Sequence, residues 1–198
     1  MKFESLSMAP GTPAPDFKLA GVDGRNYSLS EVRGDKGLLV AFICNHCPFV
    51  VHIVDAFAEF AREYQARGLG VVAISSNDVE AYPADSPTHM AAFAREHGFM
   101  FPYLYDEDQQ VALAYKAVCT PDFFLYDGGL KLAYSGQFDS SRPRTEHSRG
   151  PRTELPVTGE DLRAAADAVI AGRPVPGAQA PSNGCSMKWK PGNQPEWG

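Results

Sequence analysis

Residues 38–52 read LLVAFICNHCPFVVH. The first six are apolar and strand-forming, without the polar alternation of a half-buried strand, and they predict a central strand covered on both faces. From Phe49 to Tyr64 apolar residues recur at steps of three or four, which is the spacing of an amphipathic helix that packs on a sheet. Cys44 and Cys47 are therefore expected where a strand turns into a helix.

The composition is that of a globular protein large enough to bury one core, with 198 residues, 44% hydrophobic and 21% charged. The net charge of −6 argues against nucleic acid or an anionic membrane as a partner, because such surfaces require a basic face. Four cysteines are too few for a disulfide-stapled secreted scaffold, and the first residues lack the apolar core of a signal sequence. We therefore expect a cytoplasmic protein.

Strands and helices alternate along the rest of the chain. The predicted elements are a hairpin around Asp23-Gly24, buried strands at 71–74 and 101–105, helices beginning after Ser86, Asp108 and Thr158, and a second hairpin at 123–134. This order implies a mixed sheet with helices on both faces. It also predicts one domain at 1–172 and a Pro- and Gly-rich tail at 173–198, which packs on that domain through large apolar residues such as Trp189.

The position of the two thiols suggests their chemistry. Cys44 precedes the first helical turn, where unpaired N–H groups and the helix dipole favour a thiolate, so we expect a lowered pKa and a nucleophilic role. Cys47, one turn further, is expected to be more buried and to resolve the mixed disulfide. His46 adds a positive charge beside the thiolate when it is protonated. The substrates would be protein or small-molecule disulfides, with a cellular thiol as reductant and no bound cofactor.

A resemblance to a known family rests on four motifs. They are APDF at 14–17, CNHCP at 44–48, AISSND at 73–78 and TPDFFL at 120–125. Over about residues 10–172 the chain resembles the thioredoxin-fold superfamily, specifically its peroxiredoxin-like (AhpC/TSA-type) members. The resemblance implies an α/β thioredoxin-like fold, with a central mixed sheet flanked by helices, an N-terminal hairpin and a C-terminal extension.

The resemblance also implies site residues around the pair. Pro121 would be a cis-proline lying against the two cysteines, and Thr120 with Pro121 would present backbone to an extended substrate. Asn45 and His46 stand where thioredoxin itself has Gly-Pro, so both are expected to support the site.

Thiol peroxidase activity is an alternative within the same superfamily. Peroxiredoxins resemble the pattern P-x-x-x-[ST]-x-x-C with a distant arginine. When Cys47 is aligned with the peroxidatic residue, Cys44 takes the Ser/Thr place, Val40 the proline place, and Pro121 lies roughly where the arginine would be. These departures favour thiol-disulfide exchange.

The other two cysteines leave further alternatives open. Cys119 lies two residues before Pro121 and is expected near the pair, either as a small buried residue or as a third thiol. Cys185 is either a free thiol in a wrapping tail or an additional redox thiol. A second alternative function is a zinc or copper(I) carrier without catalysis, which would bind the ion through Cys44, Cys47 and Cys119, with or without Cys185. The favoured hypothesis requires no metal.

Two polar features are expected to be solvated. His52 lies on the polar stripe of the helix that follows Cys47. The segment 140–156 has no apolar periodicity and carries clustered arginines, namely Arg142, Arg144, Arg149 and Arg152.

Overall fold

The computed structural model describes residues 2–5, 8–145 and 150–196. The strands within these residues are β1 (Lys2–Glu4), β2 (Lys18–Gly21), β3 (Asn26–Ser28), β4 (Gly37–Phe42), β5 (Leu69–Ser75), β6 (Tyr103–Tyr105), β7 (Cys119–Thr120), β8 (Asp122–Asp127), β9 (Leu132–Gly136) and β10 (Asn183–Ser186). The helices are α1 (Leu29–Val32), α2 (Pro48–Gln65), α3 (Pro87–Glu96), α4 (Gln110–Tyr115) and α5 (Glu160–Ile170). None of the described helices is long and apolar enough to span a membrane.

The main sheet has the order β3-β2-β6-β5-β4-β8-β9 within the described residues. β4 pairs in parallel with β5 and antiparallel with β8, and every residue of β4 is buried. Burial on both faces follows from the helices, because α2 and α5 pack in one apolar cluster and α1 and α4 in the other. The predicted mixed α/β sheet, the central strand and both hairpins are confirmed.

Helix α2 begins with Pro48, whose fixed φ suits the first helical position, so Cys47 becomes the N-cap residue. Its buried face carries the predicted aromatic residues. Phe57 packs against the rings of Phe101, Phe123 and Phe138 with centroids 5.3–6.3 Å apart. This aromatic contact fixes the helix, and with it the Cys47 end, against the sheet.

A second sheet joins both ends of the chain to the middle. Its order is β1-β10-β7 within the described residues, and both pairings are antiparallel. The tail is held further along as well, since the Lys188 carbonyl accepts from the Asp78 N–H at 2.8 Å and Met187 is buried. The domain boundary at 172/173 stays a prediction.

The start of α5 differs from the predicted helix that begins directly after Thr158. The N-cap residue is Gly159, not Thr158, and it makes no side-chain cap hydrogen bond. Instead, the Asp139 carboxylate accepts hydrogen bonds from the N–H groups of Thr158 and Gly159, both at 2.7 Å. A side chain twenty residues away thus satisfies this helix start, which local spacing does not reveal.

The predictions of solvation are wrong for two residues. His52 is only partly exposed and its Nε2 lies 3.0 Å from the Ser141 hydroxyl. Arg142 is buried, and its guanidinium donates to the carbonyls of Asp139 at 2.9 Å and Ser141 at 2.6 Å. The neighbouring Arg144 and Arg152 are exposed, and Arg149 lies outside the described residues.

Candidate active site

The two cysteines of the pair lie against one residue of β7. The Cys44 Sγ is 3.3 Å from the Thr120 hydroxyl, and the Cys47 Sγ is 3.1 Å from the Thr120 carbonyl oxygen. The bond between Thr120 and Pro121 is cis, as the resemblance implies. Cys44 is 1% and Cys47 0% exposed, so the expected difference in burial within the pair is absent.

Cys47 is the cysteine whose thiolate the surroundings stabilise. Burial opposes its ionisation, but the thiols of Cys185 and Cys44 and the N–H groups of Val50 and Cys185 donate towards its sulfur and lower its pKa. The Thr120 carbonyl favours the protonated thiol of Cys47, because it accepts a hydrogen bond from it. The several donors around the sulfur outweigh this one acceptor, so the pKa of Cys47 is lowered. A negative charge is also favoured at the N-cap of α2.

Cys44 behaves in the opposite way. Its pKa is raised, because its thiol donates to the Cys47 sulfur, because it is buried, and because the Asp85 carboxylate repels a second negative charge. The prediction of a lowered Cys44 pKa is therefore wrong. It placed Cys44 directly before the first helical turn, whereas Pro48 is the first helical residue and the N-cap is Cys47, three residues later.

Asp85 organises the loop between the two cysteines. Its carboxylate accepts from the Asn45 N–H at 2.8 Å and the Asn77 amide at 2.8 Å, and it pairs with the His46 Nδ1 at 2.7 Å. This partner raises the pKa of His46. The His46 ring stacks on Tyr82, with centroids 5.7 Å apart.

Asp85 was missed from the sequence because it lies 40 residues from Asn45, in a short 3₁₀ helix (Pro83–Asp85) between β5 and α3. The available signal was weak: a carboxylate in the loop that follows a strand parallel to the catalytic one. Asn45 is held in the same loop, since its amide donates to the Ala84 carbonyl at 2.8 Å and its carbonyl accepts from the Tyr103 hydroxyl at 3.1 Å.

The two remaining cysteines differ in position. Cys119 is buried on β7, its sulfur lies 3.8 Å from the Pro121 carbonyl, and burial raises its pKa. Cys185 lies on β10 directly opposite Thr120 in the sheet, and its thiol is within hydrogen-bonding reach of Cys47. The structure therefore brings Cys185, which is distant in sequence, into contact with the pair.

The edge of β7 is already occupied. β10 pairs with Cys119 and Thr120, and the Met187 N–H donates to the Val118 carbonyl at 2.9 Å. The expectation that Thr120 and Pro121 present free backbone to an extended substrate is therefore wrong for this conformation, because a segment of the same chain lies there.

Potential metal ligands meet in a different group from the predicted one. Within the described residues, donor atoms of Cys44, His46 and Asp85 lie within 4.8 Å of one another. The Asp85 oxygens already accept the hydrogen bonds of the loop, and Cys119 does not belong to this group. The predicted cysteine ligand set of a metal carrier is thus not assembled.

Sequence comparison shows which family the chain belongs to. A profile of the AhpC/TSA family matches residues 10–135. The chain belongs to the AhpC/TSA family. The AhpC/TSA chain is 29% identical to the thiol-disulfide oxidoreductase ResA of Geobacillus thermodenitrificans over 129 residues, which are 65% of this chain and 70% of ResA. It is 31% identical to a provisionally named peroxiredoxin of Mycobacterium tuberculosis over 114 residues, or 58% of this chain and 68% of that protein.

Solved structures agree with this assignment. An uncharacterized conserved protein of Geobacillus kaustophilus superposes with a TM-score of 0.90 and 49% identity, covering 96% of this AhpC/TSA chain and 97% of its own. The thioredoxin domain of a thiol-disulfide oxidoreductase from Bacteroides vulgatus has a TM-score of 0.55 at 18% identity, covering 65% and 89% of the two chains, which supports the fold alone. The predicted thioredoxin-like fold is confirmed.

The family and its relatives indicate a thiol-based oxidoreductase. The alternative of a metal carrier without catalysis is accordingly wrong, since the AhpC/TSA chain is an enzyme of thiol redox chemistry.

Proposed function

We propose that the protein is a thiol-disulfide oxidoreductase in which Cys44 and Cys47 form a reversible disulfide. The observation that carries the proposal is the contact of both sulfurs with Thr120, at 3.3 Å to its hydroxyl and 3.1 Å to its carbonyl. Two thiols held on one residue need little movement to approach bonding distance. The substrates are protein or small-molecule disulfides, and a cytoplasmic thiol is the electron source.

The direction of attack follows from charge. Cys47 supplies the thiolate, which attacks a substrate sulfur and releases the first substrate thiol. Cys44 then attacks the Cys47 sulfur, releases the second thiol and closes the disulfide. This reverses the order expected from the sequence, and its physical basis is the N-cap position of Cys47 together with the Asp85 carboxylate beside Cys44.

His46 and Asn45 position this exchange. The Asp85 carboxylate raises the pKa of His46 and so favours the protonated imidazole, and a ring nitrogen of His46 lies within 4.8 Å of the Cys44 sulfur. That proton stabilises Cys44 when it becomes anionic in the reverse reaction, because opposite charges attract across the weakly solvated loop.

The test is reduction of insulin disulfides followed by trapping. We expect Cys47→Ser and Cys44→Ser each to reduce the rate at least a hundredfold, whereas Cys119→Ser retains it. In a second step, the order of attack is read from the stable adduct with a disulfide probe in a Cys185→Ser background, because the Cys185 thiol beside Cys47 could displace the probe: Cys44→Ser should then hold the adduct on Cys47. An adduct held mainly on Cys44 in Cys47→Ser would restore the opposite order. Full activity of Cys47→Ser would refute the function.

Thiol peroxidase activity is a second candidate, favoured by the lowered pKa of Cys47 at a helix N-terminus and by the peroxiredoxin relative. Cys47 would attack a hydroperoxide to give a sulfenic acid and an alcohol, and Cys44 would then form the disulfide and release water. Hydroperoxide consumption that is fast and persists in Cys44→Ser would favour peroxidase over disulfide exchange.

A further inference from the structure

The tail strand β10 brings a third sulfur to the pair. In the antiparallel register Cys185 lies opposite Thr120, the residue that both sulfurs of the pair contact. The Cys185 thiol and N–H both lie close enough to the Cys47 sulfur to lower the pKa of Cys47. Cys47 therefore has one thiol neighbour in its own loop and another on β10.

Gly184 allows this close approach. A Cβ atom at Gly184 would overlap the Thr120 carbonyl oxygen and the adjoining backbone of Pro121. Only a residue without a side chain lets β10 lie this tightly on the Thr120–Pro121 segment. The position of Cys185 is thus built into the backbone contact of two strands.

The three cysteine residues differ in exposure to solvent. Cys44 and Cys47 are 1% and 0% exposed, whereas Cys185 is partly exposed. Thiols of the solution consequently meet Cys185 first. Thiol-disulfide exchange requires an in-line approach to a sulfur atom, so this difference decides where an external thiol reacts.

We propose that Cys185 is a third redox cysteine, which exchanges a disulfide with Cys47 and so connects the buried Cys44–Cys47 pair with thiols in solution. The proposal rests on the proposed function, because it requires that Cys44 and Cys47 form a disulfide. It assigns to the tail the delivery of electrons to that disulfide.

The exchange has three steps and conserves electrons and protons. Cys185 attacks Cys47 of the Cys44–Cys47 disulfide; the Cys47–Cys185 bond forms, and Cys44 leaves and takes the proton that Cys185 loses. A monothiol RSH attacks the Cys185 sulfur, and Cys47 leaves as a thiolate. A second RSH attacks the sulfur of R, which releases RSSR and the Cys185 thiol. Two RSH lose two electrons to the pair, and one of their protons enters the solvent because Cys47 stays ionised.

Local charges favour the approach of an external thiol and the release of Cys47. The hydrogen bond to the Cys47 thiolate, burial and the charge of that thiolate raise the pKa of Cys185, and the thiolate's part of this effect vanishes once Cys47 is in the disulfide. Lys188 lies close enough to lower the pKa of Cys185, and its Nζ donates to the Ser186 carbonyl at 2.9 Å. This positive charge also attracts an approaching thiolate. A low leaving-group pKa at Cys47 then speeds the second step.

The first experiment maps the bond. Cys44→Ser protein is oxidised with glutathione disulfide, and its peptides are analysed by mass spectrometry. We expect a Cys47–Cys185 disulfide, and in the Cys44→Ser/Cys185→Ser protein a glutathione adduct on Cys47 instead. Ser186→Ala, the next residue of the same strand, is the matched control and should leave the Cys47–Cys185 bond unchanged when combined with Cys44→Ser.

The second experiment measures electron entry. The oxidised wild-type protein is reduced with glutathione, and loss of the Cys44–Cys47 disulfide is followed in time. Cys185→Ser should be reduced at least tenfold more slowly, and Ser186→Ala at the wild-type rate. Equal rates in Cys185→Ser and wild type, or no Cys47–Cys185 bond in Cys44→Ser, would overturn the proposal. Failure of the wild type to form the Cys44–Cys47 disulfide at all would instead refute the proposed function. The mapping experiment retains Cys185, so it still decides if Cys185→Ser folds poorly.

Discussion

At the scale of the single residue, charge distinguishes two cysteines that are chemically identical and equally buried. Cys47 receives donors from a helix start and from two thiols, whereas Cys44 faces the Asp85 carboxylate. Because one pKa unit corresponds to about 1.4 kcal/mol, opposite shifts assign the negative charge to one sulfur. The redox pair is therefore asymmetric before any substrate arrives.

Asp85→Asn tests the electrostatic role of this carboxylate. The substitution removes the charge that raises the pKa of His46, so we expect the His46 pKa to fall. Titration of the imidazole resonances by NMR measures it. His52, whose pKa is lowered by burial and whose ring contacts Ser141, is the internal control and should not move.

The ion pair of His46 and Asp85 predicts a pH dependence of stability. Because the folded pKa of His46 is raised, its pairing with Asp85 contributes stability that is complete below the unfolded pKa and is lost as the pH rises through the folded value. The difference in unfolding free energy between wild type and Asp85→Asn should thus shrink over that window. A difference that grows with pH would contradict the ion pair.

Asp122 gives a second pH dependence of stability, which arises from burial of a carboxyl group and not from an ion pair. Burial raises its pKa from 3.8 to about 8. The unfolded chain ionises this carboxyl first, so between these two values folding takes up a proton and stability falls as the pH rises. Urea unfolding across that range should show a steeper decline in wild type than in Asp122→Asn. Parallel pH profiles would show that the carboxyl is ionised in the folded protein.

At the scale of the element, local patterns predict most of the framework. The apolar run of β4, the 3.6-residue period of α2 and the hairpin turns are properties of neighbouring residues, and the structure confirms them. Pro48 is also a local signal, since a proline at the first helical position places the N-cap at Cys47. The roles of Asp85 and Cys185 depend on contacts between distant segments, which no local period encodes.

Gly184→Ala tests the approach of β10 to β7. The added methyl group would overlap the Thr120 carbonyl, so β10 must shift, at a cost of about 1–3 kcal/mol for an overpacked contact. Urea unfolding measures the cost, and disulfide mapping in a Cys44→Ser background should show less of the Cys47–Cys185 bond.

Gly129→Ala is the control for Gly184→Ala. A Cβ at Gly129 would meet only the Asp127 side chain, at 3.3 Å. This side chain lies at an exposed turn and can adjust. Equal effects of the two substitutions would show that the contact between β10 and Thr120 is not tight.

At the scale of the whole molecule, strands from near both ends of the chain lie over the redox site. β1 and β10 form a sheet with β7, and the tail continues across the edge of the main sheet, where Asn77 accepts from the Lys188 N–H at 2.9 Å. The same segment thus covers the buried pair and brings Cys185 to it. Access to the thiols and stability of the tail are therefore coupled.

Gln109 is the residue through which this coupling is best measured. Its buried amide donates to the carbonyls of Ser76 at 2.6 Å and Lys188 at 2.9 Å, and its oxygen accepts from Lys190 at 2.8 Å and Asn193 at 3.0 Å. All four hydrogen-bonding positions of the side chain are used. Three of the four partners belong to the tail.

Gln109→Asn shortens this side chain by one methylene, so it cannot reach the body and the tail together. Asparagine tolerates the left-handed φ of 63° at this position, and the substitution therefore tests the contacts rather than backbone strain. Loss of hydrogen bonds worth about 1 kcal/mol each should speed hydrogen exchange of the Lys190 amide roughly tenfold or more and raise the alkylation rate of Cys47 with it. Gln110→Asn, at an exposed neighbour whose side chain donates to the Asp108 carbonyl, should change neither rate. If the tail amides exchange faster while Cys47 alkylation stays constant, the tail does not control access to the pair.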